Sequence, residues 1–491
     1  MHWAQFLHLY QPYYQQPDVL ERIVGRSYRP IVEGLFERPE TRLTLNVNAV
    51  LLELFEKYGY GDLTEKLAEM GRRGQIEFVG SAKYHTLLPF LPKQEVMRQI
   101  EINADVCRRF LGDAFKPKGI FLPEMAYAPA LAPMMVEAGF EYVLLDELAL
   151  NGKPGQMDWT KLYQVKDTSL QVFFRQRRLS NAIMHGAVRN AEELKKAAGD
   201  DVADGKYLVT GMDGEVFGWH HPGHEKLLFE MLEDPALGMV QIGNLPKYVH
   251  DTLDCEPVAC SWADSENDLA SGKAFYSWRD PENPIQALEW ELQALTLKEF
   301  EKLTRSDPAY PALRQKLDPA LASDVFFWSS ARPWWSIELI EEGAYGLMEV
   351  VTGSPAATPA AKQHALKLYR QILDKAFEWR RSGKIAEIGR EREDILRIPF
   401  RERTDEGVYQ GFLKLMRDTE KAAIERRDYE AAALWRDAQN SLEQKNDVYD
   451  AYHVVDMLNA TIRSEQIERV LAQYRAKYLE IRGGQPEQRS N

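Results

Sequence analysis

Short apolar runs recur through the first 285 residues, several closing on a polar or acidic side chain and leading into helix-forming chain. They fall at 3–9, 43–48 and 76–79, directly after the turn-like 116–120, and at 142–146, 172–180, 207–215 and 257–262. Strand-length runs alternating with helical spacing predict parallel strands joined by helical crossovers, hence an α/β barrel. The second run illustrates the pattern: it feeds directly into 50–57, where apolar residues repeat at one-turn spacing. From residue 285 the strand signal stops. Helical spacing takes over at 287–303, 312–325 and 361–381, with Asp318-Pro319 dividing the second of these. The predicted organisation is a barrel over 1–285, an α-helical domain packed on it over 286–400, a helical extension over 401–482 and a disordered tail over 483–491.

Barrels of this kind gather their reactive groups at the C-terminal ends of strands. Two runs end in acids there. Glu124 follows Ile120-Phe121-Leu122-Pro123, and Asp213 closes 207–213, with Glu215 two positions on and sharing its facing by alternation. Two carboxylates on different strands facing one cleft are the minimum equipment for cleaving a glycosidic bond. His8 is read as an inward-facing residue at the end of the first strand. Glu77 is balanced between a wall residue and a substrate contact, and His85 falls in a loop that would line the cleft. Asp146 ends another strand, where an acid also caps the following helix, and is read as a supporting group. Arg175 or Arg177 either pairs with one of the acids or belongs to a solvated basic turn. His220 and His224 have a metal-like spacing, but Pro222 and Gly223 break the helix that would align them, so no metal is expected. Trp219 and His221 are read instead as residues lining the cleft.

Five of these segments, in order, resemble the signature regions of glycoside hydrolase family 57. They are His8-Leu9-Tyr10-Gln11-Pro12; Gly74-Gln75-Ile76-Glu77-Phe78 with Tyr84-His85 and Leu88-Pro89-Phe90-Leu91-Pro92; Phe121 to Ala126; Met212 to Gly218; and Tyr276 to Pro284. The resemblance implies an incomplete (β/α)7 barrel followed by an α-helical domain and a helical C-terminal extension. It implies a retaining enzyme acting on α-linked glucans or oligosaccharides, with Glu124 as nucleophile and Asp213 as acid/base, and needing no cofactor. Around them, substrate contacts are expected from His8, Tyr10, Gln11, Glu77, His85, Trp219 and His221, and further along from Trp262, Trp278, Asp280 and Trp328. Two positions depart from the family pattern: Tyr10 stands where His is usual and Phe121 where Trp is frequent. A phenol still hydrogen-bonds a sugar hydroxyl but does not exchange a proton near neutral pH as imidazole does. Amylase, glucanotransferase, branching and α-galactosidase activities all occur in the family. Residues 326–335 resemble the aromatic segment that packs its helical domain on the barrel. Residues 421–438 are similar to the UVR helical hairpin, which implies a protein partner for that segment.

Composition narrows the alternatives. A net charge of −14 argues against nucleic acid as a partner, since phosphate recognition needs a basic face. Three cysteines without framework spacing fit a reducing compartment. The first residues lack a basic start and an apolar core, and no run nears the roughly 18 apolar residues of a membrane span, so a cytoplasmic protein without membrane contact is expected. Two other readings remain: a metal-dependent polysaccharide deacetylase on a similar barrel, and a glucan-binding protein whose catalysis has decayed.

Overall fold

The computed structural model describes residues 1–203, 205–332, 334–388, 399–445, 458, 462 and 464–481. The expected tail at 483–491 lies outside them. The chain divides into two compact units, one of residues 1–177 and 199–385, the other of 178–198 and 386–491.

Among the described residues of the first unit, nine strands form: β1 (His2–Leu9), β2 (Leu43–Val47), β3 (Ile76–Phe78), β4 (Gly119–Phe121), β5 (Tyr142–Asp146), β6 (Leu162–Val165), β7 (Gln171–Arg175), β8 (Tyr207–Asp213) and β9 (Thr252–Cys255). One sheet runs β3-β2-β1-β8 and the other β4-β5-β7-β6-β9. All pairings in the first sheet are parallel. Its central strand β1 is buried at seven of eight positions, as a parallel strand covered on both faces must be. The sheets meet at two seams. Gly80 N–H donates to the Gly119 carbonyl at 2.8 Å and the Gly80 carbonyl accepts from Phe121 N–H at 2.9 Å, joining β3 to β4. Gln176 N–H donates to the Val209 carbonyl at 2.7 Å, joining β7 to β8. Strands β1 to β5, β7 and β8 thus follow one another around an incomplete barrel wall.

Helices cross between the strands and are started by local chemistry. Asn48, directly after β2, accepts from Val50 N–H at 2.9 Å and caps the helix Ala49–Lys57. The helices Pro284–Phe300, Tyr310–Ala320, Ile337–Gly353 and Pro359–Ser382 complete this unit. Arg314 binds Glu95 of the helix Lys93–Leu111 at 2.9 Å and Asp318 at 2.7 Å, while Arg98 reaches the same Asp318 at 2.9 Å. Trp290 stacks on Phe326 with centroids 3.8 Å apart.

Three expectations change. Residues 257–262 form no barrel strand; an isolated bridge between Tyr127 and Cys260 is what they contribute, because β8 already takes the place beside β1. Strand β7 ends at Arg175, and 177–184 is helical. Pro319 does not divide two helices but lies in the last turn of Tyr310–Ala320. Strands β6 and β9 carry no signal in the apolar pattern; three of the four residues of β9 are exposed, so it lacks the apolar signature of a wall strand.

In the second unit, the helices Glu406–Glu425 and Tyr429–Glu443 form a hairpin around Arg427, which turns the chain with φ 60°. Tyr409, Leu413, Met416, Trp435 and Leu442 build its core. The helix Ser464–Ile481 lies so close that a Cβ at Gly411 would sit 2.8 Å from Leu471 Cδ2. Ile424, Tyr429 and Leu434 remain exposed. Among the described residues, no helix is long and apolar enough to cross a membrane.

Candidate active site

Both acids emerge where the sequence suggests, at strand ends, but by different local structures. After β4 the chain makes a single 3-10 turn, Pro123–Met125, in which Glu124 adopts φ 61° and Met125 φ 47°. Two successive non-glycine residues in the left-handed region cost on the order of 1–3 kcal/mol each, so the packing around this turn must hold it in place. Asp213 is the last residue of β8 and keeps ordinary extended geometry (φ −67°, ψ 142°). Gly214 lets β8 turn away immediately afterwards: a Cβ there would lie 2.1 Å from Leu9 Cδ2.

Strand register brings the remaining groups to the same end of the barrel. His8 is paired in register with Asp213 on one side and Asn46 on the other. Its Nδ1 lies 2.8 Å from Asn46 Oδ1, while the amide nitrogen of Asn46 donates to the Val79 carbonyl at 3.3 Å. Nδ1 therefore carries the proton, and Nε2 is left as an acceptor. That Nε2 and the Nε2 of His85 are buried without hydrogen-bond partners among the described residues. The His8, His85 and Tyr10 rings stack, with centroids 5.2 Å apart for His8–His85 and 4.2 Å for Tyr10–His85. His85 Nδ1 stands 3.8 Å from Glu124 Oε1, and the Trp262 indole N–H donates to Glu124 Oε2 at 2.8 Å. Tyr10 donates to Asp324 Oδ2 at 2.8 Å. Trp262 also faces Phe121 at 5.5 Å and His8 at 6.4 Å, closing an aromatic frame between the two acids.

Burial dominates the electrostatics. It raises Glu124 to about 8, aided by the negative charge of Asp213 and opposed by the Trp262 hydrogen bond. Asp213 is raised less, to about 6, because the Arg175 guanidinium works against its burial. Burial takes His8 down to about 4 and His85 well below the usual imidazole range, so both rings are neutral at pH 7. Glu124 remains 23% exposed at its side chain, and the charge of Asp213 is felt there.

The other expected contacts divide. Gln11 donates to Glu215 Oε1 at 2.7 Å, and the Tyr28 hydroxyl donates to the same oxygen. These bonds commit Glu215 to the wall; burial and the charge of Asp213 raise it to about 8 against them, whereas the Asp213 side chain makes no capping bond to its own turn. Glu77 is a wall residue: it accepts from Thr44 at 2.9 Å and from Gly243 N–H at 3.0 Å, and Thr44 pairs in register with Phe6, two positions before His8. Trp278 is 1% exposed in a core cluster with Leu87, Phe275 and Phe326, so it is a packing residue and not a sugar platform. Asp280 is buried and accepts from Glu282 N–H at 2.8 Å, which makes it a turn-former. Trp219 packs against the Arg26 guanidinium at 5.6 Å, and His221 against His224 at 5.3 Å. Trp328 meets Tyr14 at the end of the short helix Asp324–Trp328.

Asp324 joins the site without a motif to announce it. It starts that helix, touches Tyr10 and is raised to about 6 by burial, and its charge is felt at Glu124. The available signal is an acid two positions before Phe326-Phe327-Trp328, a segment that composition alone presents as packing. Among the described residues, no group of three or more His, Cys, Asp or Glu is placed to hold a metal ion.

Comparison with known proteins agrees with this geometry. Residues 2–242 match the model of glycosyl hydrolase family 57. The chain is 31% identical over 229 residues to a 4-alpha-glucanotransferase of Thermococcus litoralis, covering 46% of this chain and 34% of that protein. It is 34% identical over 143 residues to alpha-amylase 1 of Dictyoglomus thermophilum, covering 29% and 20%. It therefore spans about a third or less of the length of these curated relatives. Among solved structures, the Thermococcus litoralis 4-alpha-glucanotransferase superposes with a TM-score of 0.59 at 20% identity, covering 72% of this chain and 58% of its own. The family branching enzyme of Thermococcus kodakaraensis gives 0.57 at 15% identity, covering 76% and 95%, a likeness of fold. The family match thus takes in residues 2–242, the stretch that carries both Glu124 and Asp213.

Proposed function

We propose that the protein is a retaining glycoside hydrolase or transglycosylase acting on α-linked glucans, with Glu124 as nucleophile and Asp213 as acid/base. The observation that carries this reading is the convergence of two buried carboxyls from different sheets, with the charge of Asp213 felt at Glu124. Glu124 attacks the anomeric carbon while Asp213 protonates the leaving oxygen; Asp213 then removes a proton from water or an acceptor hydroxyl as the glycosyl ester is resolved. In the unliganded cleft burial favours the proton on Glu124. A sugar ring developing positive charge favours the Glu124 carboxylate, so bound substrate favours the state with Glu124 ionised and Asp213 protonated, which the first step needs. The neutral His8 ring offers an acceptor to a sugar hydroxyl, and the Tyr10–Asp324 pair adds a second polar contact.

The test is incubation with maltooligosaccharides of several lengths, products resolved by size. Glu124→Gln and Asp213→Asn should each lower turnover at least ~10²-fold while the fold persists. Full activity in either variant overturns the assignment. Longer as well as shorter products indicate transfer, and shorter ones alone hydrolysis.

A further inference from the structure

Asp146 is fully buried at the end of β5, and neither catalytic role uses it. Its two oxygens are divided between two guanidiniums: Oδ2 accepts from Arg175 Nη1 at 2.9 Å and Oδ1 from Arg177 Nη1 at 3.0 Å. Each arginine then leaves in a different direction. Arg175 Nε donates at 2.6 Å to the carbonyl of Gly211, two residues before Asp213 in β8. Arg177 donates at 3.1 Å to the Trp262 carbonyl and at 2.6 Å to that of Asp264. Trp262 is the residue whose indole holds Glu124, and its own backbone N–H donates to the Glu124 carbonyl at 3.1 Å.

We propose that Asp146 is a positioning residue for both acids: through Arg175 it anchors the strand end bearing Asp213, and through Arg177 it anchors the segment whose indole grips Glu124. The proposal rests on the roles given above to those two carboxyls. Paired, charge-assisted bonds on a buried carboxylate are well suited to fixing geometry, since neither partner reorients without leaving a charge unpaired.

The charges make the two arms separable. Around Asp213 stand Arg175, Glu215, Glu124 and Tyr28; around Glu124 stand Asp213, Asp324, His85, Tyr10 and the Trp262 indole. Arg175 is the cation that restrains the rise of Asp213. Glu147 also faces both guanidiniums. In Asp146→Asn they lose the carboxylate they share, so Asp213, the lower of the two acids in the unliganded cleft, ionises more readily and the acidic limb of the kcat/KM profile moves to lower pH. In Arg175→Gln that cation is gone, and the same limb moves to higher pH. Arg177→Lys keeps a charge but loses the fork to two carbonyls; kcat should fall about tenfold with the limb unmoved.

The experiment is the pH profile of the four full-length proteins on maltoheptaose, with near-ultraviolet circular dichroism as the fold control. Side-chain carboxyl NMR titrations, assigned through Asp213→Asn and Glu124→Gln, run in parallel. Opposite displacements for Asp146→Asn and Arg175→Gln, with a pure kcat loss in Arg177→Lys, support the proposal. Displacements in one direction, or none, overturn it. If Asp146→Asn does not fold, the other two variants decide: a limb raised in Arg175→Gln and unmoved in Arg177→Lys supports the proposal, and any other pattern overturns it. A wild-type protein idle on every glucan would refute the proposed activity alone, because the NMR titrations still report whether Asp146 governs both acids.

Discussion

The surroundings of Glu124 and Asp213 differ more than their matching strand ends suggest. Glu124 sits on a strained turn among indole, imidazole and phenol rings, with Asp213 and Asp324 as its charged neighbours. Asp213 sits on regular strand backbone beside a buried guanidinium. The cation restrains one acid and the anions push the other, and the two settle at about 6 and about 8. Similar motifs in one barrel thus acquire unlike acidities from what the rest of the chain packs behind them.

Removing either carboxyl is the most severe way to break this comparison, and the at least ~10²-fold losses expected for Glu124→Gln and Asp213→Asn should dominate any series of steady-state rates. Taking away the indole grip comes next. Trp262→Phe keeps the aromatic frame but frees Glu124 Oε2, so kcat should fall roughly 10-fold or more, with the Glu124 titration moving further up because the opposing hydrogen bond is gone. Asp324→Asn should lower the Glu124 titration and leave that of Asp213 in place, a contrast readable by carboxyl NMR.

Stability provides the smallest effect. Burial holds Glu124 at about 8, above its unfolded value, so the native state keeps a proton that the unfolded chain releases from roughly pH 4.5 upward. Stability from this group is complete below that point and is lost as pH rises to about 8. Glu124→Gln should therefore flatten the fall in melting temperature between pH 5 and 8, with a gain on the order of 1–3 kcal/mol at the upper end. A variant melting in parallel with the parent across that range would contradict this.

Much of the barrel is legible because buried parallel strands write themselves as apolar runs, and both acids follow from where those runs stop. Strand β9 escapes because its side chains are exposed, and 257–262 misleads because an apolar run also suits a packed loop. Glu77, Trp278 and Asp280 fit the expected pattern of a binding residue, yet their partners are Thr44, a core cluster and a turn amide. Those partners are far away or in loops, where periodicity carries no information. Asp324 is hidden for the complementary reason: its link to Tyr10 joins residues 314 positions apart.

The seams of the barrel bear on the chemistry in another way. Glu124 follows a strand of the five-stranded sheet, and Asp213 ends a strand of the four-stranded one. The span between them consequently crosses from one sheet to the other, joined by backbone bonds at Gly80 and Gln176, by the Arg175 bond to Gly211 and by the packing of Phe6 on Phe121. A substitution at Phe6 or Phe121 would therefore reach both strand ends at once, although neither ring bonds to either acid.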